Sequence, residues 1–357
     1  MSNTPNILVT GGAGFAGSNL ALLLKEHYPN TVVTALDNLK RRGSELNLPR
    51  LKAGGVNFIH GDIRSRDDLF AVKDVDLILE CSAEPSVLAG LDGSPDYLIQ
   101  TNLMGTINCL ELARTRRADF IFLSTSRVYP IETINALAFS EAESRFELMD
   151  SQKIPGASAR GFNEDFPLNG VRSLYGATKL ASELMIEEYR SAFGLKTIIN
   201  RCGVLTGPWQ MGKVDQGVIV HWIASHIFGK PLKYFGYGGQ GKQVRDILHI
   251  RDLFDLVRYQ IDHLEALNGA LFNVGGGREV SISLAELTAF CQQSTRNKVP
   301  IDAVIEDRVA DIRIYLTDNT KVTQATGWKP QIMPAMIVDE IARWIADNRS
   351  SLASILA

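Results

Sequence analysis

Ile7-Leu-Val-Thr-Gly-Gly-Ala-Gly-Phe-Ala-Gly17 is the stretch on which the reading of this chain turns. Residues 7–10 are a short apolar run, and residues 18–27 repeat with helical period, so the glycines lie between a strand and a helix. The spacing of Gly11, Gly14 and Gly17 lets the backbone turn tightly and approach a pyrophosphate. It also packs the helix on the strand with its N-terminal N–H groups facing the anion. A glycine triplet alone is weak evidence. Here the strand and helix are both present, and Asp37 closes the next β-branched run, residues 31–36. A carboxylate there accepts hydrogen bonds from the adenosine ribose hydroxyls and repels a 2′-phosphate, so the pattern predicts NAD over NADP even though Lys40, Arg41 and Arg42 follow. Phe15 and Ala16 in the loop, Asn38 beside Asp37, and Asp62 and Ile63 after the third strand complete the expected cofactor contacts, with Asp62 near the adenine.

Residues 57–60, 76–79, 120–123 and 196–200 are further strand candidates. Helix-patterned pieces at 66–72, 97–115 and 175–193 lie between them. Strands alternating with helices predict an α/β fold of Rossmann type, a doubly wound parallel sheet covered on both faces. After Arg201 the rhythm loosens and Gly and Pro punctuate the chain. A strand at 272–274, a helix at 284–293 and a final helix at 336–348 are still legible. The expected division is a cofactor domain over 1–200 and a smaller mixed α/β substrate lobe over 201–357, part of which returns to the sheet. Residues 131–172 are polar and without period, which marks a functional loop region.

The 357 residues are 45% hydrophobic and 22% charged with a net charge of -3, so the chain can bury a large core and lacks the basic field of a nucleic-acid binder. Cys81, Cys109, Cys202 and Cys291 show no metal or redox spacing and are expected as reduced core thiols. No run approaches a membrane span and residues 1–6 carry no apolar leader, which predicts a cytoplasmic protein without membrane partners. His221 and His226 lie five apart in an apolar stretch, an arrangement that suits core or interface, and no metal is expected.

Tyr175-Gly-Ala-Thr-Lys179 sets a phenol and an ammonium four residues apart on one helix face. A free tyrosine, with a pKa of ~10, is a poor base at neutral pH. A neighbouring ammonium favours the phenolate, so Tyr175 can take a hydroxyl proton as hydride leaves the carbon, while Lys179 also binds the nicotinamide ribose. Upstream, the strand candidate runs into Ser124-Thr-Ser126. Any of these three hydroxyls, at the carboxyl end of a parallel strand, is placed to hydrogen-bond the reacting oxygen.

The order Thr-Gly-x-x-Gly-x-x-Gly, Asp37, Ser-Thr-Ser-x-Val-Tyr and Tyr-x-x-x-Lys resembles the extended short-chain dehydrogenase/reductase family of NAD-dependent nucleotide-sugar epimerases and dehydratases. The resemblance takes in Asn102 in Thr101-Asn-Leu-Met-Gly-Thr106 and the later Gln243-Val-Arg-Asp-Ile-Leu-His249. It implies a catalytic triad of Thr125, Tyr175 and Lys179, Asn102 at the cofactor, and Ser124 and Ser126 at the substrate. It also implies a homo-oligomer, a dimer through a four-helix bundle of 97–115 and 175–193 or a tetramer built from it.

Family dehydratases follow the catalytic Thr with Asp-Glu. Here Ser126-Arg127 stand there, and neither can serve as that carboxylate. The resemblance is strongest to the CDP-paratose 2-epimerases (CDP-tyvelose epimerases). It is carried by Asp37-Asn-Leu-x-Arg-x-Gly43, Glu141-x-Glu-x-Arg-Phe146, Asp215-Gln-Gly217, Gly241-Lys-Gln-Val-Arg-Asp246 and Asp311-x-Arg313. It implies Gln216 at the substrate and Arg245 and Arg308 on the nucleotide diphosphate, where guanidinium forks suit phosphate oxygens. The implied reaction is inversion at C2 of a CDP-linked deoxy sugar by transient oxidation and re-reduction. The alternatives are 4-epimerisation of a UDP-sugar, or reduction or dehydration by the same family. Departures are Pro130 after Val-Tyr, Leu79-Glu-Cys-Ser-Ala-Glu84 where His-Leu-Ala-Ala-Gln is frequent, and an extended stretch at 150–172.

Overall fold

The computed structural model describes residues 5–91, 93–212, 216–308 and 310–356. Residues 1–4 and Asp215 of the Asp-Gln-Gly motif lie outside them. The chain forms two compact units, residues 1–128, 173–201 and 254–272 in the first and residues 129–172, 202–253 and 273–357 in the second. The boundary differs from a single cut at 200. The loop region 129–172 belongs to the second unit, and 254–272 belongs to the first.

The first unit is built on strands β1 (Ile7–Thr10), β2 (Val33–Asp37), β3 (Asn57–His60), β4 (Leu77–Glu80) and β5 (Asp119–Thr125). Their order with Thr197–Cys202 and Ala270–Val274 is 270–274, 197–202, β5, β4, β1, β2, β3, one seven-stranded sheet. Every pairing among β1 to β5 is parallel. β1 and β4 are buried along their whole length, as strands covered on both faces must be. The sheet order reverses direction at β1, so the carboxyl ends of β1 and β4 flank a topological switch point where ligands of such sheets bind. Helix α1 (Phe15–His27) packs on β1 and β2. The sequence suggests one helix over 97–115, but the backbone runs as a short helix Asp96–Ile99, a π-helical turn Gln100–Met104, and a helix Gly105–Arg116. A wide turn of this kind leaves no mark on apolar spacing, and it is often found at functional sites.

The second unit carries the mixed sheet of Val204–Thr206, Val244–His249, Ser281–Ser283 and Ile314–Tyr315. It also holds three mutually packed helices, Val218–Phe228, Leu284–Thr295 and Pro334–Asp347. Leu284–Thr295 opens on a capping box between Ser283 and Glu286, which satisfies two end N–H groups at once. The stretch 131–172 is not an open loop. It holds a helical turn Ile131–Asn135 and two antiparallel pairs, Phe139–Glu141 with Phe146–Leu148 and Ala157–Ser158 with Gly161–Phe162. Tyr129, the tyrosine of Val-Tyr, is buried among Phe162, Phe166 and Tyr315, and its hydroxyl donates to Asn273 Oδ1 at 2.8 Å. Within this unit the motif thus works as a core anchor.

Candidate active site

The glycine loop is shaped by close approach. Gly11 has φ +61° and lies against the backbone of Cys81 just past β4, where a Cβ would sit 3.0 Å from its carbonyl carbon. A Cβ on Gly17 would stand 2.1 Å from the Gly11 carbonyl oxygen, so only glycine lets α1 start there. No side chain caps α1, whose N-cap is Gly14, so the first-turn N–H groups stay directed at the loop beside Phe15 and Ala16.

Asp37 ends β2 with its Oδ2 accepting the Ala13 N–H at 3.0 Å and its Oδ1 accepting the Leu39 N–H at 2.8 Å. Burial pushes its carboxyl up, against the pull of these backbone N–H groups. The Gly14 N–H also bonds this carboxylate, so three of its roughly four lone-pair sites are taken and one is left for a ribose hydroxyl. Asn38 donates to Asp62 Oδ2 at 2.9 Å, and Arg64 pairs with the same carboxylate at 2.7 Å. Burial alone would raise Asp62, but the bonds from Arg64 and Asn38 outweigh it and hold the carboxyl down at about 2. Ile63 is buried, and its side chain fills the space that a Cβ on Gly105 would need. Lys40 lies over the Tyr97 ring at 4.4 Å, which engages one of the basic residues after Asp37. Asp37→Asn is expected to weaken NAD binding by about 10- to 100-fold, because a charge-accepting group would present an N–H₂ to backbone donors and ribose alike. Titration of NAD into the purified variant checks this; an unchanged dissociation constant would remove Asp37 from the cofactor site.

The helix Leu174–Phe193 carries Tyr175 and Lys179. Ser173 caps it, its hydroxyl accepting the Gly176 N–H at 3.1 Å, and Gly194 ends it in the left-handed conformation. It packs on β5, whose last residue is Thr125. The three members of the expected triad therefore come from two adjoining elements of one unit. Tyr175 is half-buried, while Lys179 is buried with its ammonium 3.8 Å from the Phe122 ring centre and 3.9 Å from Glu80 Oε2. Thr125 Oγ1 accepts the Arg127 N–H at 3.2 Å, inside the turn Ser126–Val128, and its hydroxyl proton remains available to a ligand oxygen. Ser126 is half-buried in that turn.

Two of the residues expected at the ligands are also engaged within the protein. Ser124 donates its hydroxyl to Glu183, which Arg201 grips from Nε at 3.0 Å and Nη2 at 2.7 Å. Asn102 is fully buried in the π-helical turn. Its Oδ1 accepts the Glu84 N–H at 2.7 Å, and its Nδ2 donates to the Glu84 carbonyl at 3.1 Å and to Thr178 Oγ1 at 3.2 Å. Its amide thus ties the segment after β4 to the helix of Tyr175 and Lys179. The sequence places Glu80 near the cofactor end of a strand, as found, but not its pairing with Lys179, and it gives Glu183 no role. The available signal for Glu183 was its position four residues beyond Lys179 and eight beyond Tyr175, on the same face.

In the second unit Arg245 donates to Asp311 Oδ1 at 2.8 Å, with Tyr237 and Arg313 close by. Burial, then Asp311, push the Tyr237 phenol up to about 12. The guanidinium of Arg308 stacks on Phe235 at 3.6 Å, and its carbonyl accepts the Asp311 N–H at 3.2 Å. Arg245 and Arg308 are therefore joined through Asp311. Gln216 is half-buried just before the helix Val218–Phe228. Among the described residues no group of three or more His, Cys, Asp or Glu could hold a metal ion, and no helix is long and apolar enough to cross a membrane.

Comparison with known proteins bears on this geometry. A CDP-paratose 2-epimerase of Salmonella typhi is 31% identical over 352 residues, 95% of this chain and 98% of that protein. A solved dTDP-glucose 4,6-dehydratase of Streptomyces venezuelae with NAD bound superposes with a TM-score of 0.79 at 26% identity, covering 98% of this chain and 99% of that one. A UDP-glucose 4-epimerase of Thermotoga maritima, solved with UDP-glucose, gives a TM-score of 0.76 at 24% identity over 96% of this chain and 99% of the other, a likeness of fold. The model of the NAD-dependent epimerase/dehydratase family matches residues 7–275, which takes in the glycine loop, Asp37, Thr125, Tyr175 and Lys179; the chain belongs to that family and its cofactor is NAD.

Proposed function

We propose that this enzyme inverts C2 of a CDP-linked deoxy sugar by oxidising it to a keto sugar and reducing it again on the other face. The observation that carries the reading is the end of β5, where Thr125 leads into Ser126 and Arg127 beside the helix of Tyr175 and Lys179. A dehydratase needs a carboxyl group to move water across two carbons, and neither Ser126 nor Arg127 supplies one. The likeness to the Salmonella typhi CDP-paratose 2-epimerase supports both the nucleotide and the carbon.

In this reading the first unit binds the cofactor, through Gly11, Gly14, Phe15, Ala16 and Gly17 at the diphosphate, Asp37 and Asn38 at the adenosine ribose, and Asp62 and Ile63 at the adenine. Asn102 supports the site from behind. Bound NAD supplies a hydride acceptor and, once reduced, a hydride donor. Tyr175 as phenolate takes the C2 hydroxyl proton, Thr125 and Ser126 hold the reacting oxygen, and Ser124 steadies the strand end from within. The Lys179 ammonium favours the phenolate and binds ribose hydroxyls. The second unit takes most of the nucleotide sugar, with Gln216 near it and Arg245 and Arg308 on the diphosphate. Met104, in the π-helical turn, and Leu184 and Phe193, on the helix Leu174–Phe193 itself, leave apolar surface exposed, which supports pairing of two chains there.

The test uses substrate labelled with deuterium at C2, followed by NMR with CDP- and UDP-linked sugars in parallel. The expected result is inversion at C2 of the CDP-sugar with the label retained and no net NADH. Loss of the label to solvent would overturn the hydride route, and turnover of UDP-sugars at C4 alone would overturn both the carbon and the nucleotide.

A further inference from the structure

Glu80 ends β4 with its side chain wholly buried, and no step so far uses it. Its Oε2 lies 3.9 Å from the Lys179 ammonium and accepts the Thr106 hydroxyl at 3.3 Å. Lys179 is itself 1% exposed, with Phe122 on another side at 3.8 Å. Two opposite charges so far from water must be read together. The groups that face Glu80 are the Lys179 ammonium from the helix Leu174–Phe193, Thr106 and the Cys109 thiol from Gly105–Arg116, and the Ser82 N–H from its own segment. Burial, and then Glu80, push the Cys109 thiol well up, so it stays neutral and Lys179 is the one cation among them.

We propose that Glu80 is a positioning residue for the redox step: its carboxylate is the buried counter-charge that fixes the Lys179 ammonium and thereby sets the field felt by the Tyr175 phenol. The pair lies on the fold's own elements, β4 and the catalytic helix, so its geometry needs no ligand to form. Burial pushes the Glu80 carboxyl up to about 6 against the pull of Lys179, Thr106 and Ser82. Its ionisation is therefore moved toward neutral pH. An ionised Glu80 offsets part of the Lys179 charge and holds the phenol in its neutral form to higher pH. A neutral group there would leave the ammonium's field whole.

This inference rests on Tyr175 and Lys179 as the catalytic pair, and the test separates the two. The phenolate absorbance of the NAD-loaded enzyme is titrated in the near ultraviolet, with Tyr175→Phe subtracted to isolate that residue. Glu80→Gln, which keeps shape and hydrogen bonding, is expected to move the Tyr175 transition about one unit lower in pH. A transition that stays at the wild-type position overturns the proposal. No difference between wild type and Tyr175→Phe would count against the catalytic pair itself, and the Glu80–Lys179 charge pair is then decided by the second measurement. That measurement compares the double variant Glu80→Gln/Lys179→Met with Lys179→Met, and it serves equally if Glu80→Gln does not fold. Removing both charges is expected to give a protein that melts above Lys179→Met. A double variant no more stable than the single one means the two groups are not a charge pair, and overturns the proposal.

Discussion

Tyr175→Phe is expected to lower turnover by about 10²- to 10⁴-fold while leaving the fold and NAD binding in place. The change removes one oxygen from a half-buried ring at the second position of the helix Leu174–Phe193. The Ser173 cap and the packing of that helix on β5 do not depend on the phenol. What is lost is the group that takes the sugar hydroxyl proton. Thr125 cannot replace it, because a threonine hydroxyl has no accessible anion at neutral pH and its Oγ1 already accepts the Arg127 N–H. Lys179 cannot replace it either, since its ammonium is buried between Phe122 and Glu80 as a cation. A circular-dichroism melt and an NAD titration establish that the variant is folded and loaded, and a steady-state assay with the nucleotide sugar gives the loss. Turnover near the wild-type rate would remove Tyr175 from the reaction.

The parts of the site that depend on backbone chemistry were legible before the structure. Gly11 and Gly17 stand where any side chain would strike backbone, so the loop had to be read as glycine or not at all. β1 and β4 are apolar up to their last residues, Thr10 and Glu80, because both of their faces are covered, and Asp37 stood out as the charged residue closing β2. Tyr175 and Lys179 followed from helical spacing. Other features carry no local signal. The π-helical turn at Gln100–Met104 has the composition of an ordinary helix, and the buried bonds of Asn102 within it form only in the folded chain. The strands within 139–162 are two or three residues long, too short for a period of two to show. The compact units depart from a cut at 200 around 129–172, where Tyr129 contributes its ring to a core that includes Phe166 and Tyr315, remote in sequence. Glu80 stands out as a departure at the end of a strand, and Glu183 carries no signal beyond its helical spacing; most carboxylates are exposed, but these two are not. Their burial is decided by Lys179 and Arg201, cations that reach them only in the folded chain.

Glu183→Ala is expected to cost about 3–5 kcal/mol of stability, a large share of what holds a typical protein folded. Glu183 and Arg201 are 2% and 5% exposed at the side chain, and the guanidinium contacts the carboxylate through Nε and Nη2. Arginine does not shed its proton inside a protein, so the truncated variant must keep a buried cation without its carboxylate. The loss also reaches the active site. Glu183 accepts the Ser124 hydroxyl, and Ser124 precedes Thr125 at the end of β5, while Lys179 lies one turn back on the helix. One carboxylate therefore ties β5, the catalytic helix and the strand Thr197–Cys202 together. Urea unfolding followed by circular dichroism reads the first effect, and turnover of the still-folded fraction reads the second. The double variant Glu183→Leu/Arg201→Met is expected to recover much of the stability, because an apolar pair of similar volume carries no unmet charge. It should not recover turnover in full, since Ser124 would still lack its acceptor beside Thr125. A Glu183→Ala protein as stable as the wild type would show that the ion pair is dispensable and that Thr125 is placed by the strand alone.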